Sequence, residues 1–449
     1  MWILKYSLHL QCILQINTCF SVFFGYTDIN KKLRISGKIA TLLMLFILVF
    51  PMKGWSQSGD AAVEELIKMG FENVSCTDTD DERVYVVQNM AYRLHGVGMA
   101  KAVDVIQSLG MPSDKNCRIV VLDNNVPQYS IFHQKGGEVN DTIALEGIRA
   151  GWETSYLLGD SWKVASKTKK QNSSLFKVDL VVYPEFYFQN MLLNKIYTSA
   201  FSLDPTIEVS LWKGMKFTGQ VVIPLHRGER YGEIYGKTRL GYLTISQSFR
   251  VQNLFMTAFA GNLGSFHWGL GTNMKYVFKD PRFSIEGHAM YVGVSTLGGW
   301  KWERDKLDTW LFKLGGLFYW PKYNTQFELR LEKYVRHDTG IYFQFARHMR
   351  KASIGFYARK TIDYNHRYKI ANSGYDGGFF FNITLPPYGK YKRTKHIPRI
   401  TPAETFGITY YAGNEKYYGK TVNFSPSNNA RTRNSSFNPI FIKSELLNY

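Results

Sequence analysis

The chain has 449 residues, room for a leader, one small domain and one large one. Hydrophobic residues make up 45% of it, yet its mean hydropathy of -0.23 excludes an architecture of long apolar helices. The formal charge of +19 invites a nucleic-acid reading, but Lys and Arg are scattered through turns and loops. With no zinc pattern, basic helix or aromatic RNA-binding signature, no nucleic-acid partner is expected, and lipopolysaccharide phosphates or acidic glycans are the better counter-charges.

Residues 39–50 form an apolar run broken only by Thr41, preceded by Lys31, Lys32, Arg34 and Lys38 and followed by Pro51 and a polar stretch. About twelve residues are too few to span a bilayer as a helix but fit the apolar core of a secretory signal peptide. Residues 1–57 are therefore read as an upstream segment and signal peptide, cut near Gln57, the alternative being a membrane anchor that includes residues 7–24. Removing them takes away six Lys or Arg and Asp28, a net five charges, and leaves +14 of the +19. It also removes Cys12 and Cys19, leaving Cys76 and Cys117 in an exported chain. There a Cys76–Cys117 disulfide and two unpaired thiols are both open.

Residues 58–134 read as a compact α/β module. A helix is expected over 61–69, with Val63, Leu66 and Ile67 on one face and Gly70 as its stop. Strands follow near 73–78 and 83–91, then a helix from Met99 to Leu109 that the pair Gly96 and Gly98 would start, and a strand over 118–123. Gly96-Val97-Gly98 opens like a dinucleotide fingerprint, but Lys101 stands where the third glycine belongs. Residues 135–175 carry no clear period and are read as a linker.

From 176 to 412 the period is two. In Gln326-Phe327-Glu328-Leu329-Arg330-Leu331-Glu332, Phe327, Leu329 and Leu331 share one face and the polar residues the other. Comparable stretches recur near 176–190, 204–213, 215–226, 238–251, 253–263, 265–279, 281–296, 308–320, 325–336, 339–349, 352–363 and 374–386, with another near 404–412. Strands this long, rich in the 29 Tyr and 31 Phe of the chain, predict a mainly β fold: an antiparallel transmembrane β-barrel of about 12 strands, range 10–14. A soluble β-sandwich would alternate too, but with shorter strands. Charges on a lipid-facing side cost roughly 2–4 kcal/mol at the midplane, so Glu208, Glu286, His288, Glu328 and Arg330 are expected to line the lumen. Residues 413–449 are expected to form a tail or closing strand, and the terminal Tyr449 resembles the carboxy-terminal signal of proteins assembled into the outer membrane.

The segments at 210–225 (Ser-Leu-Trp-Lys-Gly-Met-Lys-Phe-Thr-Gly-Gln-Val-Val-Ile-Pro-Leu), 266–271 (Phe-His-Trp-Gly-Leu-Gly), 354–357 and 376–386 (Asp-Gly-Gly-Phe-Phe-Phe-Asn-Ile-Thr-Leu-Pro) resemble stretches of the YjbH/GfcD family. Upstream, 87–93 and 96–98 are similar to that family's amino-terminal module. The resemblance implies an outer-membrane β-barrel with its amino-terminal domain in the periplasm, linked to exopolysaccharide or capsule production. Its partners would be outer-membrane lipid, exopolysaccharide and periplasmic export proteins.

Catalytic sets were sought among His267, His288, His337 and His348, with Glu286 on the face of His288. No spacing selects a nucleophile, a base and an orienting group, and there is no metal-ligand motif. No cofactor is expected. Gly261, Gly264, Gly269 and Gly271 suggest a bend or bulge, or a close approach of polymer. Trp300, Trp302, Tyr319 and Trp320 read as an aromatic girdle or a sugar-stacking surface, and the basic run 390–396 as a solvated loop or a contact for anions. With no catalytic set identified, the reading is a non-enzymatic outer-membrane barrel, and the resemblance to the YjbH/GfcD family implies that it takes part in exopolysaccharide or capsule export or assembly. Its alternatives are a barrel enzyme acting on lipid or glycan, and a passive porin.

Overall fold

The structure, a computed structural model, describes residues 60–136, 149, 151–190, 197–229, 232–303, 308–334, 339–363, 375–388, 392–412, 422–426 and 437–447. The expected signal peptide, His337 and Tyr449 lie outside the described residues.

The first part is a five-stranded sheet in sequence order: β1 (Glu72–Asp78), β2 (Glu82–Gln88), β3 (Asn116–Asp123), β4 (Val126–His133) and β5 (Trp152–Ser155). Only β2 and β3 are parallel, and a parallel pair needs a crossover, here α2 (His95–Leu109). That helix and α1 (Ala61–Lys68) cover one face, burying Val63, Leu66, Met99 and Ile106 against Tyr85, Ile119 and Tyr129. The short helix α3 (Trp162–Ala165) covers Val84, Val86 and Val120 on the other. Asp60 caps α1, its Oδ1 accepting from Ala62 N at 2.9 Å, and its Oδ2 accepts from Tyr85 Oη at 2.7 Å.

Three expectations change here. Residues 152–165 are not linker, since β5 extends the sheet and α3 packs on it. The strand β4 gave no signal of its own, although Asn124 and Asn125, at φ 46° and 63°, make the two-residue turn that leads into it. And α2 begins at His95, with Gly96 and Gly98 inside its first turns. A Cβ at Gly96 would meet the Glu445 side chain, and one at Gly98 the Asn89 carboxamide, so these glycines permit close packing on a formed helix rather than starting one.

The disulfide is not formed: Cys76 and Cys117 are free thiols. Cys76 is on β1 and Cys117 on β3, with β2 between them. Two strand spacings separate their backbones by roughly 10 Å, beyond bridging range. Burial pushes both thiols up, Cys117 to about 12.

The second part is one large sheet. Its long antiparallel strands run in order: β6 (Val178–Asn190), β7 (Tyr197–Trp212), β8 (Met215–Arg227), β9 (Arg239–Val251), β10 (Leu254–Leu263), β11 (His267–Val277) and β12 (Phe283–Thr296), beside which β13 (Lys301–Glu303) pairs. They continue through β14 (Thr309–Trp320), β15 (Thr325–Lys333), β16 (Thr339–His348), β17 (Ala352–Asp363) and β18 (Tyr375–Thr384). The run 399–412 then touches both ends of the sheet. Its first half, β19 (Arg399–Pro402), lies parallel to β6, and its second, β20 (Thr405–Ala412), antiparallel to β18. Phe186 of β6 and Phe406 of β20 bring their rings within 5.9 Å.

The pleat sorts side chains as the alternation requires. On β15 Leu329 is 58% exposed while its neighbour Glu328 is 4% exposed, and Gln326 and Glu332 are buried like Glu328. Phe283, Phe318, Phe327, Phe345, Phe356 and Phe379 are consecutive cross-strand partners on the apolar face, one aromatic row over six strands. Nearer the other end Trp268, Tyr291, Trp302 and Trp310 cluster, Trp268 stacking on Trp302 at 5.9 Å. Tyr291 lies eight residues beyond Phe283, about 27 Å along the strand. Gly261, at φ 138°, faces Gly269 across the β10–β11 ladder, where a Cβ would run into the Leu243 carbonyl.

The tail is not a closing strand where it is described. Residues 439–447 form α4 (Pro439–Leu447), whose Ile442 and Leu446 join the core beneath α2, while the Phe441 ring lies 6.1 Å from that of His348. Asn438 caps it, its Oδ1 accepting from Ile440 N at 2.9 Å.

Candidate functional site

The buried polar face of the large sheet is held by pairs that its register creates. Glu208 accepts from Tyr183 Oη at 3.1 Å and pairs with Lys216 across the β7–β8 ladder. Glu286 is the cross-strand partner of Lys275, with Nζ 3.4 Å from its carboxylate. Glu328 takes Arg330 Nη1 at 2.8 Å and Lys313 at 3.6 Å. Arg330 also pairs with Glu332 and lies 3.6 Å over the Tyr342 ring. Each of these charges is thus compensated by one beside it, as burial demands.

At one end of this face the module closes a cavity of about 300 Å³. The β3–β4 turn reaches the sheet there, Gly214 N donating to the Asn124 carbonyl at 2.9 Å. Arg250 donates to the Gln128 carbonyl at 2.8 Å and to that of Tyr156. On the far side residues 422–426 lie on the polar face. Phe424 stacks on Phe259 at 4.6 Å, Thr244 Oγ1 donates to its carbonyl at 2.7 Å, and Val422 joins Leu263, Met290, Val292 and Leu311. The chain's own carboxy-terminal region therefore occupies part of the face that its strands build.

A buried ion cluster ties the module to the sheet. Arg393 donates to Glu72 at 3.0 Å and to Asp179 at 2.6 Å, Lys177 reaches Glu72 at 2.8 Å, and Arg399 reaches Asp179 at 2.9 Å and the Met90 carbonyl at 3.0 Å. The basic run was expected to be a solvated loop or an anion contact. Its Arg393 instead is buried, because two carboxylates of distant elements converge on it. Arg93 adds bonds to the carbonyls of Leu385 and Ala403.

All five sequence-predicted residues face the polar side, but they do not form one site. Glu208, Glu286 and His288 line the cavity, whereas Glu328 and Arg330 stand apart and reach it through Lys313. Near His288 the hydroxyls are otherwise engaged: Ser248 Oγ lies 2.8 Å from Thr257 Oγ1, and Ser246 Oγ faces the Lys216 carbonyl at 3.5 Å. His348 sits elsewhere, its Nδ1 2.9 Å from Ser353 Oγ. Trp300, Trp302 and Trp320 are exposed and Tyr319 is buried. Sequence reasoning missed Asn124, Asn273 and Phe424. Only the Asn124-Asn125 doublet carried a signal, that of a tight turn.

No protein-family model matches the chain, and no curated protein matches it. Among solved structures it is similar to OccK2 (OpdF) of Pseudomonas aeruginosa, with 12% identity and a TM-score of 0.28, the match covering 46% of this chain and 60% of that one. It is similar to OccK9 (OpdG) of the same organism, with 13% identity and a TM-score of 0.29, covering 46% and 64%. With OmpT, an outer membrane protein of Vibrio cholerae, it shares 11% identity at a TM-score of 0.24, covering 52% and 100%. The chain thus spans less than two thirds of the length of either Pseudomonas protein.

Proposed function

We propose that this is a bacterial outer-membrane protein whose large sheet closes around a plugged bore, with the α/β module on the periplasmic side. We further propose that it takes part, without catalysis, in exopolysaccharide or capsule export or assembly. The observation that carries the membrane reading is the inversion on β15, Leu329 out and Glu328 in. Water favours the opposite arrangement; a hydrocarbon surround and a polar interior favour this one. The two aromatic clusters support it as well. At a strand tilt of about 45° their spacing along β12 corresponds to roughly 20 Å of membrane depth, near the height of a barrel's apolar band.

Among the described residues, twelve long strands and the run 399–412 then act as thirteen staves. An odd number requires the first and last to run the same way, which is the sense in which β19 lies on β6. Two features favour an occupied bore over a passive porin: the module across one end and Phe424 on the polar face. The polysaccharide role is supported by the likeness to the YjbH/GfcD family at 210–225, 266–271, 354–357 and 376–386.

Deleting the gene and staining for surface polymer is the test. Loss of polymer, restored equally by the wild-type chain and by His288→Ala, is the expected result. Unchanged polymer would overturn the export role, failure of His288→Ala alone would favour an enzyme, and a chain recovered in the soluble fraction would overturn the barrel.

A further inference from the structure

The cavity between the module and the polar face has a specific chemical deficit. Asn124 Oδ1 and Asn273 Oδ1 are buried acceptors with no hydrogen-bond partner, and both residues line the cavity. Neither backbone is at liberty to turn away. Asn124 is fixed in the β3–β4 turn by the bond from Gly214, and Asn273 sits in the ladder between Thr257 and His288. Buried amide oxygens without donors are costly, so something that brings O–H or N–H groups belongs there.

The charges on the wall say what that is not. Glu208 is engaged with Lys216, Glu286 with Lys275, Lys313 with Glu328, and Arg393 with Glu72 and Asp179. Among the described residues of the wall no cation is left over to meet a phosphate or a uronate, whose own oxygens would face the two orphaned acceptors. Phe255, Tyr156 and Phe424 supply apolar surface beside the polar wall. Hydroxyl donors, no net charge and a face of C–H groups describe a sugar ring. About 300 Å³ is room for roughly ten waters, and so for about one hexose.

We infer that this cavity binds one neutral sugar unit, whose hydroxyls donate to Asn124 Oδ1 and Asn273 Oδ1. The site deepens the proposed export role and rests on it for the source of the sugar, a unit of the polymer. It also gives the carboxy-terminal region a place in that role, since Asn423, Phe424 and Ser425 form part of the wall.

The full chain in lipid nanodiscs is titrated with glucose, galactose, N-acetylglucosamine, glucuronate and inorganic phosphate, read by saturation-transfer NMR and calorimetry. At least one neutral sugar is expected to bind saturably at one site, with glucuronate and phosphate silent. Asn273→Ala and Asn124→Gly, the latter keeping the left-handed turn, should each weaken binding about tenfold, one hydrogen bond's worth. Ser246→Leu, which fills the cavity, should abolish it. Heat-modifiable mobility on gels reports whether each variant is folded, and the wild-type panel decides the matter even if none is.

Saturable binding of no neutral sugar, tighter binding of glucuronate, or affinities unmoved in folded variants would overturn the inference and leave the cavity to water. A protein needed for surface polymer that binds no sugar sinks the cavity site alone. One that binds sugar while its deletion leaves the polymer intact sinks the export role alone.

Discussion

Leu314 on β14 is 60% exposed and lies four residues from both Phe318 and Trp310, midway between the two aromatic clusters. Its cross-strand partners are Gly287 and Leu331. In water an exposed leucine is replaced by arginine at almost no cost, within about 0.5 kcal/mol. At the midplane of a bilayer the same change costs roughly 2–4 kcal/mol, because the guanidinium must be hydrated or drag lipid headgroups inward. The molecule carries its own control. Leu109, the last residue of α2 in the module, is 51% exposed, and arginine there would sit favourably at a helix C-terminus. Denaturant unfolding of Leu314→Arg and Leu109→Arg in phospholipid vesicles should therefore separate two leucines of near-equal exposure by at least 2 kcal/mol. Equal and negligible costs would mean that the apolar face of the sheet meets water, and the barrel reading would fail with it.

Glu72→Ala leaves Arg393 buried beside Asp179 alone and should cost about 3–5 kcal/mol; a double-mutant cycle with Asp179→Ala should be non-additive by more than 0.5 kcal/mol. Replacing residues 422–426 by a flexible Gly-Ser segment removes Phe424 from the polar face, and in planar bilayers should convert a quiet protein into one with stepwise conductance; identical traces would mean that the segment does not obstruct the bore. His95 lies among Tyr129, 2.9 Å from its Nε2, and Phe437; burial pushes it down to about 4, with Asp123 opposing. Below pH ~6.5 the unfolded chain takes up a proton that the folded one refuses. Stability is therefore full above pH ~6.5 and declines as pH falls to about 4, by on the order of 3 kcal/mol, and His95→Asn should flatten that limb of a pH titration.

Strand positions in the large sheet were legible because a strand with one apolar and one polar face writes its pleat directly into composition. Segments expected at 352–363, 325–336 and 339–349 match β17, β15 and β16 to within three residues, since Ile354 and Phe356, Leu329 and Leu331, and Ile341 and Phe343 point outward while Ser353, Glu328 and Gln344 are buried beside them. What the period could not convey was long-range partnership. Arg393 looks like its neighbours Lys392 and Lys395 in sequence, and only the arrival of Glu72 and Asp179 from 321 and 214 residues away makes it a buried ion-pair centre. The same holds for α4: Ile442 and Leu446 are four apart, a faint helical signal, and their meaning depends on the groove that α2 presents through Gly96. Asn273 was invisible for the opposite reason. On an inward face almost any polar residue satisfies the alternation, and nothing local says which will be left without a donor.

The two devices that hold this molecule together share a residue. Asp179 stands on β6 where β19 pairs with it, Arg399 being its cross-strand partner, and the same carboxylate accepts from Arg393, which grips Glu72 of the module. Arg399 in turn donates to the Met90 carbonyl at 3.0 Å. Parallel pairing is slightly the weaker kind, and here it is only four residues long. Such a seam gains from reinforcement outside its ladder. A module that docks onto the seam's own ion cluster supplies it, because withdrawing Glu72 leaves the buried Arg393 and Lys177 with one carboxylate fewer to compensate them. Docking of the module and pairing of β19 on β6 are then coupled rather than independent, so the module is best regarded as a structural part of the sheet at this seam.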